Sequence, residues 1–173
     1  MENEKIVKPV KLMLPAHWDA FEELGHFKRD EKSNGSDSFA APHNMIFEFM
    51  VMLEKFRKEA NRPVSIHCTY DKEGHSPKSM HKKTACAAAD GHVSGFSLLD
   101  ECRILVAMGF DGVGAYPYSW ASRGFHMDMR SIYGKPKVCW IEDEFKTGKY
   151  IYYTDPNEFL LKLGEVESAK EKY

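Results

Sequence analysis

Residues 110–129, FDGVGAYPYSWASRGFHMDM, decide how this chain is read. Residues 110–116 and 124–129 are short runs with strand character, joined by a loop that contains Pro117. Side chains alternate along a strand with a period of two. His126 and Asp128 therefore share one face, while Met127 and Met129 face the core. One face of a strand thus offers an imidazole and a carboxylate together.

Working upstream, Ser97 is placed to cap a helix, with Asp100 three residues on as a variant capping box. Leu98, Leu99, Cys102, Leu105 and Val106 form its buried face, and Gly109 ends it. Residues 85–93, ACAAADGHV, suit helix or strand on alanine content alone. The end of that stretch is read as strand because a new helix begins soon after. Residues 64–69 form an earlier strand, followed by a polar loop over 71–78. A long helix follows Pro42, with Met45, Ile46, Phe49, Met50, Leu53 and Phe56 at three- and four-residue steps, and ends near Asn61. RDEKSNGSDS, residues 29–38, is an exposed loop.

Downstream, residues 138–141 and 150–153 make a hairpin turned at Thr147-Gly148. Asp155-Pro156-Asn157-Glu158 then caps a last helix carrying Phe159, Leu160, Leu163 and Val166. The expectation is a single α+β domain over residues 1–173, a central antiparallel sheet with helices before, within and after it and the site on the sheet.

A net charge of -2 over 173 residues provides no basic field for nucleic acid or anionic lipid. The opening MENEKIVKPVKLM has no apolar core of a signal peptide, and no apolar run reaches bilayer length. The product is expected in the cytoplasm where it is made, without membrane insertion. Export through another route, such as host lysis, stays open. Cys68, Cys86, Cys102 and Cys139 contain no C-x-x-C spacing and read as free, buried thiols.

The chemistry concentrates in Ser79-Met80-His81 with Ala87-Ala88-Ala89-Asp90, and in Gly112-Val113-Gly114-Ala115-Tyr116-Pro117 with the stretch from Gly124 to Arg130. Two imidazoles and one carboxylate suit a zinc ion with its fourth position open to water, which the metal acidifies. Spacing alone is weak evidence, and it favours His81 as a solvated loop residue and His126 as a hydrogen-bonded sheet residue. His67, His75 and His92 read as structural. Tyr116, Tyr118, Trp120, Tyr133 and Trp140 read mostly as packing, with one or two as a cleft wall.

These segments resemble the pattern S-x-H-x-x-G-x-A-x-D, then G-[IV]-G-x-Y-P and G-F-x-H-x-D, of the zinc D-Ala-D-Ala metallopeptidase superfamily. The nearest branches are small phage and bacterial murein endopeptidases and peptidoglycan carboxypeptidases. His26-Phe27-Lys28, the helix with Leu53-Glu54-Lys55-Phe56-Arg57, and Arg62-Pro63-Val64-Ser65-Ile66 follow in the same order, so the likeness spans about residues 26–142. The resemblance implies Zn2+ on His81, Asp90 and His126 and hydrolysis of peptidoglycan stem peptides or cross-links, as in endolysins and autolysins. The alternatives are a catalytically impaired zinc-binding module of the same fold that binds cell wall or a protein partner, and a structural phage protein.

Three departures stand out. His81 and Asp90 are nine residues apart where the pattern has seven, and Thr84 replaces its turn glycine. Cys68-Thr69-Tyr70-Asp71 puts a carboxylate where the pattern's arginine stabilises an oxyanion, which leaves Arg123, Lys82 or Lys83 as substitutes. Arg123 and Gly124 occupy places where some branches carry a general base. Asp128 is then the local candidate for catalysis, or else a residue that orients His126. If Asp90 is a ligand, a His81 nitrogen and an Asp90 oxygen must lie about 3–3.5 Å apart.

Overall fold

The computed structural model describes residues 6–33, 36–71, 78–118, 123–143 and 149–170. His75, Trp120, the Thr147-Gly148 turn and the last residues of the AKEKY tail lie outside them. The elements run α1 (Pro15–Leu24), β1 (Lys32–Ser33), β2 (Ser36–Asp37), α2 (Phe47–Ala60), β3 (Val64–Cys68), β4 (Ala88–Val93) and α3 (Leu98–Ala107). They continue with β5 (Gly112–Tyr116), β6 (Gly124–Asp128), β7 (Val138–Glu142), β8 (Tyr150–Tyr153) and α4 (Pro156–Lys170). This is an α+β fold.

Strands β3-β4-β6-β5-β7-β8 form one six-stranded sheet, and within residues 29–38, whose polar composition predicts a loop, β1 and β2 pair as a small ribbon. The large sheet is mixed, not wholly antiparallel: β7 runs parallel to β5, with Gly112 opposite Val138. The chain leaves β6, crosses to the far side of β5 and returns along it. Hydrophobic alternation reports which face a residue takes, not which strand lies beside it, so this direction was not legible in the pattern.

The sheet has two unlike faces. Ile66, Ala89, Val93, Val113, Ala115, Phe125, Met127, Cys139 and Ile141 are buried on one of them. Helices α3 and α4 pack there, and Phe56 of α2 meets Phe125 edge-on at 5.3 Å between ring centres. Fully burying side chains such as Phe125 and Met127 stabilises by about 1.5–3 kcal/mol each. The alternate positions, Asp90, His92, His126, Asp128, Trp140, Tyr150 and Tyr152, fall on the other face. Cys68, Cys86, Cys102 and Cys139 are free thiols.

Helix α1 is an element that periodicity does not flag, since its apolar stripe is short and Pro15 opens it. Tertiary contacts hold it: Trp18 is buried against Phe39, Arg29 binds Glu22 at 2.8 Å, and His26 Nδ1 lies 2.6 Å from Glu54 of α2. At α3 the expected Ser97 cap forms, with the Asp100 N–H donating to its hydroxyl at 3.1 Å. Glu167 of α4 adds to it by accepting from the N–H groups of Leu98 and Leu99 at 3.1 and 2.9 Å.

Burial pushes the neighbouring Glu101 carboxyl up to about 8, against the hydrogen bond it accepts from Val93 N–H. Folded Glu101 therefore holds a proton that the unfolded chain loses above about 4.5, and stability falls as pH rises from there to about 8. Glu101→Gln is expected to melt about 4 °C above the wild type at pH 9, and at the same temperature near pH 4.5. Equal melting temperatures at both pH values would remove the buried charge from the account.

Candidate metal centre

The site is assembled by strand register plus one loop. Asp90 of β4 and His126 of β6 are direct cross-strand partners on the open face, so alternation and pairing together bring them into contact. His81 arrives from the β3–β4 connection, on a 3-10 turn at Met80–Lys82 in which the His81 N–H donates to Ser79 Oγ at 3.2 Å. Beyond this turn the connection continues to β4. There the chain runs alongside residues 44–46, with Cys86 N–H donating to Asn44 O at 2.7 Å and Ile46 N–H to Cys86 O at 2.9 Å.

His81 Nε2 lies 3.2 Å from Asp90 Oδ1, and His126 Nδ1 lies 2.8 Å from the same oxygen. The two ring nitrogens are 3.1 Å apart. All three residues are buried, and their atoms form a triangle close to the roughly 3.3 Å edge that a tetrahedral ion with bonds near 2.0–2.1 Å requires.

The donor set fits a metal for a second reason. His81 Nδ1–H donates to the Thr69 carbonyl, which leaves the Nε2 lone pair facing the triangle. His126 Nε2–H donates to Asp128 Oδ2 at 2.9 Å, which leaves Nδ1 facing it. Both tautomers are set from outside the triangle, as metal-ligating imidazoles require.

Burial lowers the His81 pKa, but Asp90 outweighs it and holds the group at about 9. Burial likewise lowers His126, while hydrogen bonds to Asp128 and Asp90 keep it at about 8. The stability these protonated rings give the metal-free protein is complete below about 6.5 and is lost as pH rises through about 8 to 9. A metal must displace those protons. Affinity for a divalent transition metal is expected to rise about tenfold per pH unit for each proton displaced. Competition against a chelator from about pH 6 to 9 measures the slope, and a flat profile would contradict it.

Asp128 sits on the far side of His126 from the triangle. Burial raises its pKa, but the hydrogen bonds from His126 and Arg130 win and hold it at about 2. Arg123 is turned to Glu167 at 2.8 Å, and Lys83 Nζ lies over the Tyr133 ring. His67 and His92 pair with each other at 2.7 Å, and Ser33 Oγ meets the other nitrogen of His67 at 2.9 Å.

A cleft of about 340 Å3 reaches His126 and Asp128. Lys78, Arg130 and Lys135 line it, together with the rings of Tyr116, Trp140 and Tyr152. The Trp140 ring is centred 4.9 Å from that of His126. Sequence reading assigned no role to Thr69 or Arg130. Arg130 carries a usable signal, an arginine two positions after a strand carboxylate, whereas Thr69 acts through its backbone and carries none.

Fold and site together define an α+β chain with a buried His81-Asp90-His126 cluster able to hold a metal ion. No protein-family model, curated protein or solved structure matches the chain. Among the described residues no helix is long and apolar enough to cross a membrane.

Proposed function

We propose that this chain is a zinc-dependent peptidase of the D-Ala-D-Ala metallopeptidase kind that hydrolyses peptidoglycan stem peptides or their cross-links. The observation that carries the reading is the convergence of His81 Nε2, Asp90 Oδ1 and His126 Nδ1 within 3.2 Å of one another. That convergence occurs despite the altered spacing of the first motif. Two nitrogens and one carboxylate oxygen, with a cleft alongside, are the donor set of a catalytic zinc site. Zinc held there supplies Lewis acidity, acidifying water and polarising a carbonyl.

The chain's own residues do the rest. Thr69 and Asp128 orient the two imidazoles, and the cleft beside Trp140 and Tyr116 receives the peptide. Lys78 and Lys135 give that cleft a positive lining suited to acidic stem peptides, the Arg130 charge being offset by Asp128.

A second reading, a zinc-binding module without hydrolysis, is favoured by one observation. Asp128 is bonded to Nε2 of His126 rather than to the metal-facing Nδ1, a position for orienting the ring and not for taking a proton from water.

Metal analysis and peptidoglycan digestion on one sample separate these readings. The peptidase reading expects about one zinc per chain and new free amines whose release a chelator stops. Zinc without amine release supports the binding module. Absence of bound zinc after zinc loading defeats both.

A further inference from the structure

We propose that Arg130 is a positioning residue of the metal centre, acting through Asp128 to hold His126 in the tautomer that presents Nδ1 to the ion. The inference rests on the metal-centre reading. It concerns a residue two positions past the end of the G-F-x-H-x-D pattern.

Asp128 is fully buried, and its carboxylate is engaged on both oxygens. Oδ1 accepts from Arg130 Nε at 2.9 Å and from the Arg130 backbone N–H at 3.0 Å. Oδ2 accepts from the Arg130 terminal nitrogen at 2.6 Å and from His126 Nε2 at 2.9 Å. The two guanidinium bonds, one to each carboxylate oxygen, fix its rotation, as an arginine fork does and a lysine does not. With its plane fixed, Oδ2 meets the edge of His126, and Nε2 carries the hydrogen.

The guanidinium is itself held. It stacks over Trp140 at 5.1 Å, and Trp140 donates from its indole nitrogen to Tyr116 Oη at 3.3 Å. Gly114 makes the stack possible, because a Cβ there would overlap the indole. The run Gly114, Trp140, Arg130, Asp128, His126 is thus one continuous support that ends at the ligand.

The test compares zinc affinity by chelator competition at one pH for wild type, Arg130→Gln, Asp128→Asn and the double variant. In the zinc-loaded proteins, the His126 Nε2–H resonance is followed by NMR. Arg130→Gln is expected to weaken zinc about 10- to 100-fold and to speed exchange of that proton. Arg130→Lys should recover only part of the affinity. Because Arg130 works through Asp128, the double variant should bind no more weakly than Asp128→Asn alone.

Arg130→Gln within twofold of wild type would overturn the proposal. So would a double variant in which the two losses multiply, the mark of an independent structural role. If Arg130→Gln does not fold, Arg130→Lys carries the test, and unchanged affinity with an unchanged Nε2–H signal overturns the proposal. A wild-type protein that takes up no zinc defeats the metal-centre reading instead, a separate outcome.

Discussion

His126→Ala is expected to leave the protein folded and without tightly bound metal. The substitution removes one of three protein donors from a site in which Asp90 Oδ1 sits 2.8 Å from His126 Nδ1 and 3.2 Å from His81 Nε2. Structural zinc sites, with four ligands, bind with about 10–16 kcal/mol, so a share per ligand is roughly 2.5–4 kcal/mol. At about 1.4 kcal/mol per decade, affinity should drop about 10²–10³-fold. The loss has a second source, since Asp128 would face a cavity in place of its imidazole donor. Metal content after gel filtration, with circular dichroism as the folding control, measures the result. Full occupancy in a folded His126→Ala protein would remove His126 from the ligand set.

Gly112→Ala is the second large effect, and it strikes stability as well as metal binding. A Cβ at Gly112 would overlap the carboxylate of Asp128, its cross-strand partner. That carboxylate cannot step aside cheaply, because it is buried and bonded to His126 and Arg130. Either β5 shifts or the buried ion pair breaks, at a cost of about 3–5 kcal/mol. The melting temperature of a domain this size should fall by about 6–20 °C. Gly164→Ala serves as the control. Gly164 lies within α4, its Cβ would meet only Leu99 Cδ2 of α3 at 3.4 Å, and replacing a helical glycine should stabilise by up to about 1 kcal/mol. Denaturant titration separates the two. A Gly112→Ala protein within about 1 kcal/mol of wild type, binding metal normally, would refute the close-approach account.

The same geometry explains why glycines recur in Gly112-Val113-Gly114. Asp128 and Trp140 occupy the space that a Cβ at Gly112 and at Gly114 would need. As a sequence the stretch reads only as a strand with two small residues. The reason for their smallness lies on β6 and β7.

Much of the local structure was legible because it depends on near neighbours. Period-two alternation placed His126 and Asp128 on one face, and the structure joins them at 2.9 Å. The three- and four-residue spacing from Phe49 to Phe56 marked α2, and Ser97 with Asp100 marked the start of α3. The choice of His81, Asp90 and His126 rests on the likeness of their motifs to a known pattern, since residue types and spacing alone also fit a solvated loop histidine and a hydrogen-bonded sheet histidine. The helix and strand readings rest on backbone periodicity, which a chain carries within a few residues of itself.

Tertiary structure decided what depends on distant partners. It set the parallel pairing of β5 with β7, the approach of His81 to Asp90 across a loop, and the turning of Arg123 away to Glu167. It also gave Asp128, read from sequence as a base or a residue that orients His126, its partners Arg130 and His126. Alternation identifies faces but not neighbours. A charged side chain takes whichever opposite charge the packed elements bring within reach, and only the folded chain determines that.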